Sequence, residues 1–335
     1  MQTAQQHASS IGILGTGSHL PANAVDNTLV GSRAGVTAEW IHRKTGISER
    51  RYAAEGEATS DLAAHAARAA LADAGIRPGQ LDHIVVATST PDHPQPATAA
   101  IVQDLIGAEQ AAAFDLNSVC SGFAFALHTA HRLIADGGHA LVIGADVYSR
   151  IIDPTDRRTA ILFGDGAGAV VLGPVPAGYG IETSLLETFG QHHRTIRVPA
   201  GGSRRPASPE SLAEGDHWFA MNGREVREFV TDRLPLTVKE LLRRADRTGT
   251  EVDHFVPHQA NGQMLAEILP SLGLERARTH LTVAEYGNTG AASVPITLDA
   301  ANRAGALRDG ELVLLSGFGG GMSIGSSLLR WHAAA

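Results

Sequence analysis

The chain has 335 residues, of which 43% are hydrophobic, 19% charged and 5% aromatic, with 37 glycines. That length exceeds the usual single-domain size of about 150 residues, and the composition is that of a globular chain, which excludes a small stapled scaffold and global disorder. Its 27 basic and 35 acidic residues give a formal charge of -8, the wrong sign for nucleic acid or an anionic membrane as the main partner, although a local basic patch stays open.

Residues 1–10 are polar, without a basic or apolar leader region, and no apolar run reaches the ~18 residues of a membrane span. The one cysteine, Cys120, cannot form an intrachain disulfide, and no Cys/His spacing suggests a metal site. A cytoplasmic protein without metal is expected.

Along the chain, continuous apolar runs at 11–14, 83–87, 140–143, 169–172 and 312–315 predict strands buried on both faces. Between the first two, Leu62, Ala63, Ala66, Ala70 and Leu71 lie near helical spacing, with Ser60 or Asp61 as the cap and Gly75 as the stop. A strand over 113–116 runs into a helix beginning around Cys120, which presents Phe123, Ala124, Leu127, Ala130, Leu133 and Ile134. Residues 190–215, rich in Gly, Ser, Pro and Arg, form a surface excursion, either a substrate-site loop or a mobile one.

An internal repeat organises these elements. "LDHIVVAT" at 81–88 matches "VDHFVPHQ" at 252–259 with an offset of 171, and the same offset carries Asn117 of "NSVCSGFAFAL" onto Asn288 of "NTGAASVPITL". "FGDGAGAVVL" at 163–172 likewise resembles "FGGGMSIGSSLL" at 318–329. The chain is therefore read as two related α/β halves, 1–175 carrying Cys120 and 176–335 carrying His258 and Asn288, meeting near 174–180.

The repeat bears on chemistry. A thiol at a helix N-terminus faces the positive end of the helix dipole, which favours thiolate; a lone cysteine is otherwise a small buried hydrophobe. His258 follows a strand at Pro257, where the chain must turn, yet any one of 16 histidines is more often structural. Asn288 opens a small-residue helix and equally reads as an N-cap. If the halves pack about a pseudo-dyad, the three converge. The run "SGFGGGMS" at 316–323 then permits close backbone approach, and its amides can join that of Cys120 in an oxyanion hole. A phosphate loop is the competing reading of this run, but the Lys-Ser/Thr ending is missing.

Six segments in order, "EWIHRKTGISERR" at 39–51, "CSGF" at 120–123, "DPTDRRTAILFGDGAGAVVL" at 153–172, "VPHQAN" at 256–261, "GNTGAASVP" at 287–295 and "FGGG" at 318–321, resemble the β-ketoacyl-acyl carrier protein synthase III type of condensing enzyme, within the thiolase superfamily. The resemblance implies a five-layered αβαβα thiolase-like fold of two duplicated halves and a homodimer. It implies Cys120 as the acyl-accepting nucleophile, His258 and Asn288 as its partners, and an oxyanion hole of the Cys120 and Gly320 amides. It places Trp40 and Arg157 on the coenzyme A (CoA) adenine, Gly223 and Asn261 along the pantetheine tunnel, and Phe318 beside the reacting centre. Packing aromatic and surface salt bridge are the plainer readings of Trp40 and Arg157. The substrates implied are an acyl-CoA and a malonyl thioester, with no tightly bound cofactor and malonyl-acyl carrier protein as partner.

Three departures stand out. Gln95 occupies the position of the bulky aromatic acyl gate, which suggests a starter other than acetyl for a fatty acid or specialised polyketide pathway; alternatively Gln95 faces solvent and Phe163 shapes the pocket. The helix after "VPHQAN" reads "GQMLAEILPSLG", with Glu267 and no Lys or Arg, so the carrier-docking patch is altered, with Arg224, Arg227 and Arg233 as replacements. Lys44 stands where Arg is common and keeps the charge without the planar fork. Decarboxylative Claisen condensation is the leading expectation. Acyl transfer to an alcohol or amine is the alternative, and a silent partner subunit is disfavoured because Cys120 is kept.

Overall fold

Each predicted apolar run lies in a strand of the computed structural model, which describes residues 10–333. Strands β1 (Ser10–His19), β2 (His83–Ala87), β3 (Ala112–Leu116), β4 (Ala140–Asp146) and β5 (Gly166–Val175) form one sheet in the order β1-β5-β4-β2-β3. Strands β6 (Gly180–Thr188), β7 (His254–Pro257), β8 (Arg278–Thr279), β9 (Leu312–Gly319) and β10 (Ser323–Arg330) form a second in the order β6-β10-β9-β7-β8. The two orders are identical once the second set is counted from its own first strand. Polarity repeats as well, since β2 is parallel to β3 and β4, and β7 to β8 and β9, while the remaining pairs are antiparallel.

The duplication extends to single hydrogen bonds. Asp82 donates its N–H to the His139 carbonyl (2.9 Å) and its carboxylate accepts from the His139 N–H (2.8 Å). Asp253, 171 residues on, makes the same pair with Leu312, at 2.9 and 2.8 Å. The recurring Asp thus clamps the start of a central strand in both halves.

The helices that bear on the site are α1 (Ala38–Thr45), α2 (Thr59–Ala74), α3 (Thr98–Ile106), α4 (Gly122–Leu133), α5 (Gly223–Arg244), α6 (Gly262–Ile268) and α7 (Ser293–Arg303). α2 and α3 cover the outer face of the first sheet, α4 and α7 lie between the sheets, and α5 and α6 pack on the far side of the second, giving five αβαβα layers. The middle layer is apolar on both sides because it faces a sheet on each. Phe123, Leu127, Ala130, Val294 and Leu298 are all wholly buried, in one cluster with Val85 and Val142 of the first sheet and Val256 and Leu315 of the second.

Two local expectations change. Ser60 and Asp61 lie inside α2 rather than before it, and Ala58 holds the cap position. The capping group comes from across the fold. The Asp92 carboxylate accepts from the Ser60 N–H (2.9 Å) and hydroxyl (2.6 Å), while Asp61 takes the Ala58 N–H. Gly75 ends the helix at φ 64, as expected. The excursion after residue 190 also returns to the body, where Ile196–Arg197 pairs with Ala220–Met221. Among the described residues no helix is long and apolar enough to cross a membrane.

Leu127→Ala removes a side chain gripped by both sheets and should destabilise the protein by about 3 kcal/mol. A urea titration showing an unchanged midpoint would contradict this account of the middle layer.

Candidate active site

β3 ends at Leu116, and a one-turn 3-10 helix, Val119–Ser121, carries Cys120 before α4 begins at Gly122. Val119, a β-branched residue, sits at φ 48, a left-handed conformation that costs on the order of 1–3 kcal/mol and recurs at functional turns. The Asn117 side-chain oxygen accepts the Val119 N–H at 3.1 Å and holds the turn. Across the seam lies Gly319, where a Cβ would fall 2.7 Å from the Cys120 Cβ, so only glycine permits this approach.

Cys120 is only 4% exposed. Burial, reinforced by the nearby Asp146 carboxylate, pushes its thiol up to about 12, while the Tyr148 hydroxyl acts in the opposite direction. This reverses the expectation of a thiolate stabilised by a helix N-terminus. α4 starts two residues after the sulfur's own residue, and burial is the largest influence on the thiol.

His258 follows β7, its N–H donated to the Ser316 carbonyl at 2.7 Å. Its Nδ1 is 2.6 Å from the hydroxyl of Ser293, the first residue of α7, and that hydroxyl oxygen accepts the Gln259 N–H at 3.3 Å. The Ser293 hydroxyl can donate to Nδ1, which leaves the ring proton on Nε2, or accept from it, which leaves Nε2 free to take a proton. Burial pushes His258 down to about 3, so the ring is neutral near pH 7. Phe318 packs edge-on against it, with centroids 5.0 Å apart.

Asn288 is fixed by its main chain, which accepts from Gly164 and donates to Leu162 in a short bridge beside Phe163. Its Oδ1 accepts the Gly290 N–H at 2.9 Å, the same turn that Asn117 makes with Val119. With Oδ1 engaged, Nδ2 is the atom it can offer a ligand.

Cys120, His258 and Asn288 line one cavity of about 620 Å³, together with Phe163 and Phe318. Trp40 and Arg157, Gly223 at the start of α5 and Asn261 at the start of α6 line the same space. Asn261 also caps α6 through Oδ1 and reaches the Lys44 carbonyl of α1 through Nδ2 (3.3 Å), so it ties two walls together. Lys44, Arg158 and Arg227 join Arg157 around the cavity, a local basic rim on an acidic chain.

Two residues fall outside it. Gln95 is exposed on the loop before α3 and does not line the cavity of its own chain; Asp92 ties that loop to α2. Gly320 is not itself a lining residue but directly follows Gly319, which is, and has Val119 and Ile196 beside its Cα. Conversely, Ser293, Asp146, Tyr148, Phe219 and Ile196 belong to the site or its support and were not anticipated. An acidic residue ending the otherwise apolar "ALVIGAD" was the one available signal, since a buried charge requires partners.

Two sheets of like order around a shared helical layer, with a polar cavity at their junction, define the thiolase-like fold. Residues 114–190 match the family model for 3-oxoacyl-[acyl-carrier-protein] synthase III, and residues 242–331 match the model of its C-terminal part. The acetoacetyl CoA synthase NphT7 of Streptomyces sp. (strain CL190) is 58% identical, over 95% of this chain and 98% of that protein. The β-ketoacyl-[acyl-carrier-protein] synthase III of Symbiobacterium thermophilum is 44% identical, over 96% and 98%. The crystal structure of the Aquifex aeolicus synthase III superposes with a TM-score of 0.88 at 34% identity, covering 96% of this chain and all of that one. The chain belongs to the β-ketoacyl-acyl carrier protein synthase III family of condensing enzymes.

A thiol pushed up to about 12 should react with iodoacetamide slowly at pH 7 and about tenfold faster per pH unit, because only thiolate reacts. Peptide mass mapping of Cys120 from pH 7 to 10 checks this, and a plateau below pH 9 would contradict it.

Proposed function

We propose that the protein condenses a short acyl group, taken from acyl-CoA onto Cys120, with the two-carbon unit of a malonyl thioester, CoA-bound malonate being the preferred acceptor. The observation that carries this is the convergence of a thiol, a neutral imidazole and an amide with its oxygen engaged on one dry cavity.

The Cys120 sulfur attacks the acyl thioester, and its proton passes to His258 Nε2 and then to the departing CoA sulfur. The Ser293 hydroxyl can donate to Nδ1 or accept from it, so either ring tautomer is accommodated. Malonyl thioester then enters and loses CO2, and its thioester oxygen becomes an enolate held by His258 Nε2–H and Asn288 Nδ2–H. The enolate carbon attacks the acyl-Cys120 carbonyl, whose oxyanion is held by the Cys120 and Gly320 amides, and the sulfur leaves. Phe318 keeps water from His258 and from the carbanion. No tightly bound cofactor enters, because every group used is the chain's own.

Lys44, Arg157 and Arg158 beside Trp40 suit the phosphates and adenine of CoA. The carrier-protein acceptor is less favoured. α6 exposes Glu267, paired with Arg227, and Arg233 lies over the Phe189 ring at 5.0 Å, so two of the three replacement cations are engaged. A relative named acetoacetyl CoA synthase points the same way. Tyr148, Phe163 and Phe219 pack as one aromatic cluster, with centroids 4.5 to 5.6 Å apart, and Phe163 and Phe219 line the cavity with Cys120, which suits a short acyl group.

The reading includes the division of the chain at residue 175 and a homodimer. β3 ends its sheet and has a neighbour on one side only among the described residues, an edge suited to a second copy.

Intact-protein mass after mixing with acetyl-, butyryl- and octanoyl-CoA should show a gain from the short donors, lost in Cys120→Ala. Asn288→Ala should still be acylated but release CO2 from malonyl-CoA about a hundredfold more slowly. Acylation of an added alcohol or amine without CO2 release would instead establish acyl transfer. Phe219→Ala should extend the accepted donors toward octanoyl, and an unchanged donor range would remove the aromatic cluster from the specificity argument.

A further inference from the structure

Two turns meet behind the reacting centre, and three hydroxyls tie them together. Ser118 and Ser121 lie on either side of Cys120, and Ser323 opens β10, just after the glycine run that follows β9. The Ser121 and Ser323 oxygens are 2.8 Å apart, those of Ser118 and Ser121 2.9 Å, and those of Ser118 and Ser323 3.2 Å. Ser323 also reaches the Gly320 carbonyl at 2.8 Å, and Ser121 the Ser118 carbonyl at 2.8 Å. Ser121 and Ser323 are buried, and none of the three lines the cavity, so they serve the site from behind.

Three hydroxyl protons face two carbonyls and three oxygen–oxygen contacts, so they cannot satisfy all five at once. Gly320 is buried, and its carbonyl takes the Ser323 proton. The Ser323 oxygen then accepts from Ser121 or from Ser118. In either case the Ser118 carbonyl keeps the Ser121 N–H, at 3.2 Å. The cluster is thus a chain of donors running from the Cys120 turn into the glycine turn.

Gly320 needs such a tie. Neither it nor its neighbours Gly319 and Gly321 has a side chain, and glycine backbone is the most free to rotate. Gly319 is anchored by its pairing with Ser323 across the hairpin, and the Ser323 hydroxyl anchors the Gly320 carbonyl, so the Gly320 N–H lies between two fixed points. The same residue packs on the nucleophile turn, where a Cβ at Gly320 would lie 3.0 Å from Val119 Cγ2.

We propose that Ser323, backed by Ser121 and Ser118, is a positioning residue for the acyl-transfer steps: it holds the glycine turn and the Cys120 turn at the spacing at which their amides meet one oxyanion. The proposal rests on the reading of Cys120 as the nucleophile and of the Cys120 and Gly320 amides as the oxyanion hole.

The test uses the full-length protein and two reactions of one sulfur. Acylation by acetyl-CoA passes through a carbonyl oxyanion, whereas iodoacetamide loses iodide from a saturated carbon as the sulfur bonds to it and forms none. In Ser323→Ala, single-turnover acylation at saturating acetyl-CoA should slow about tenfold, the size of one hydrogen bond, with an unchanged half-saturating concentration. Alkylation from pH 7 to 10 should keep its wild-type rate. Ser121→Ala should slow acylation by less, since Ser118 remains to support Ser323. The protein carrying both changes should be no slower than Ser323→Ala, because both break one chain. Wild-type acylation in folded Ser323→Ala would overturn the proposal. Equal slowing of both reactions would overturn it too, because that marks a disturbed cysteine turn rather than a lost oxyanion contact. If Ser323→Ala does not fold, Ser121→Ala decides by the same two outcomes. A wild-type protein that alkylates at Cys120 but is acylated by no donor sinks the nucleophile reading and the proposal with it, whereas the outcomes in the variants leave that reading standing.

Discussion

The site depends on two backbones meeting with no side chain between them. At the seam of the halves, Gly144 of β4 faces the Ala291 carbonyl, where a Cβ would lie 2.4 Å away, and Gly319 of β9 faces the Cys120 backbone. Larger residues at either place would separate the β4 end from the Asn288 loop, or β9 from the nucleophile turn. Asp146 adds a polar lock on the same seam through the Ala291 N–H. Since Cys120 arrives from the first half and His258 and Asn288 from the second, this approach makes three distant residues into one group.

Closeness also makes the site dry, and dryness sets its charge states. Cys120 and His258 are both held neutral by burial rather than as an ion pair. In the proposed reaction that suits a ring that must lend a proton to an enolate oxygen, since a cationic ring would be costly to bury. The cost falls on the thiol, which lacks an adjacent cation.

The two ends of the cavity contrast. Around Cys120, Phe163 and Phe318 supply apolar walls, whereas the rim carries Lys44, Arg157, Arg158 and Arg227. A long polyanionic thioester with a small reactive head matches this polarity. The chain's net charge of -8 makes the rim a local feature, invisible in bulk composition.

Patterns held by neighbours in the chain were legible without coordinates. Buried strands follow from unbroken apolar runs, α2 from its helical spacing, and the halves from a 171-residue offset that reappears as matched hydrogen bonds of Asp82 and Asp253. Cys120, His258 and Asn288 were legible because each sits in a local turn motif. What depends on atoms brought from elsewhere was not. Asp92 capping α2, Ser293 orienting His258, and Asp146 holding the Ala291 N–H are contacts between distant segments. The thiol's protonation is the plainest case: the helix after Cys120 is written in the sequence, but desolvation is set by every group packed around the sulfur, and only the tertiary structure assembles them.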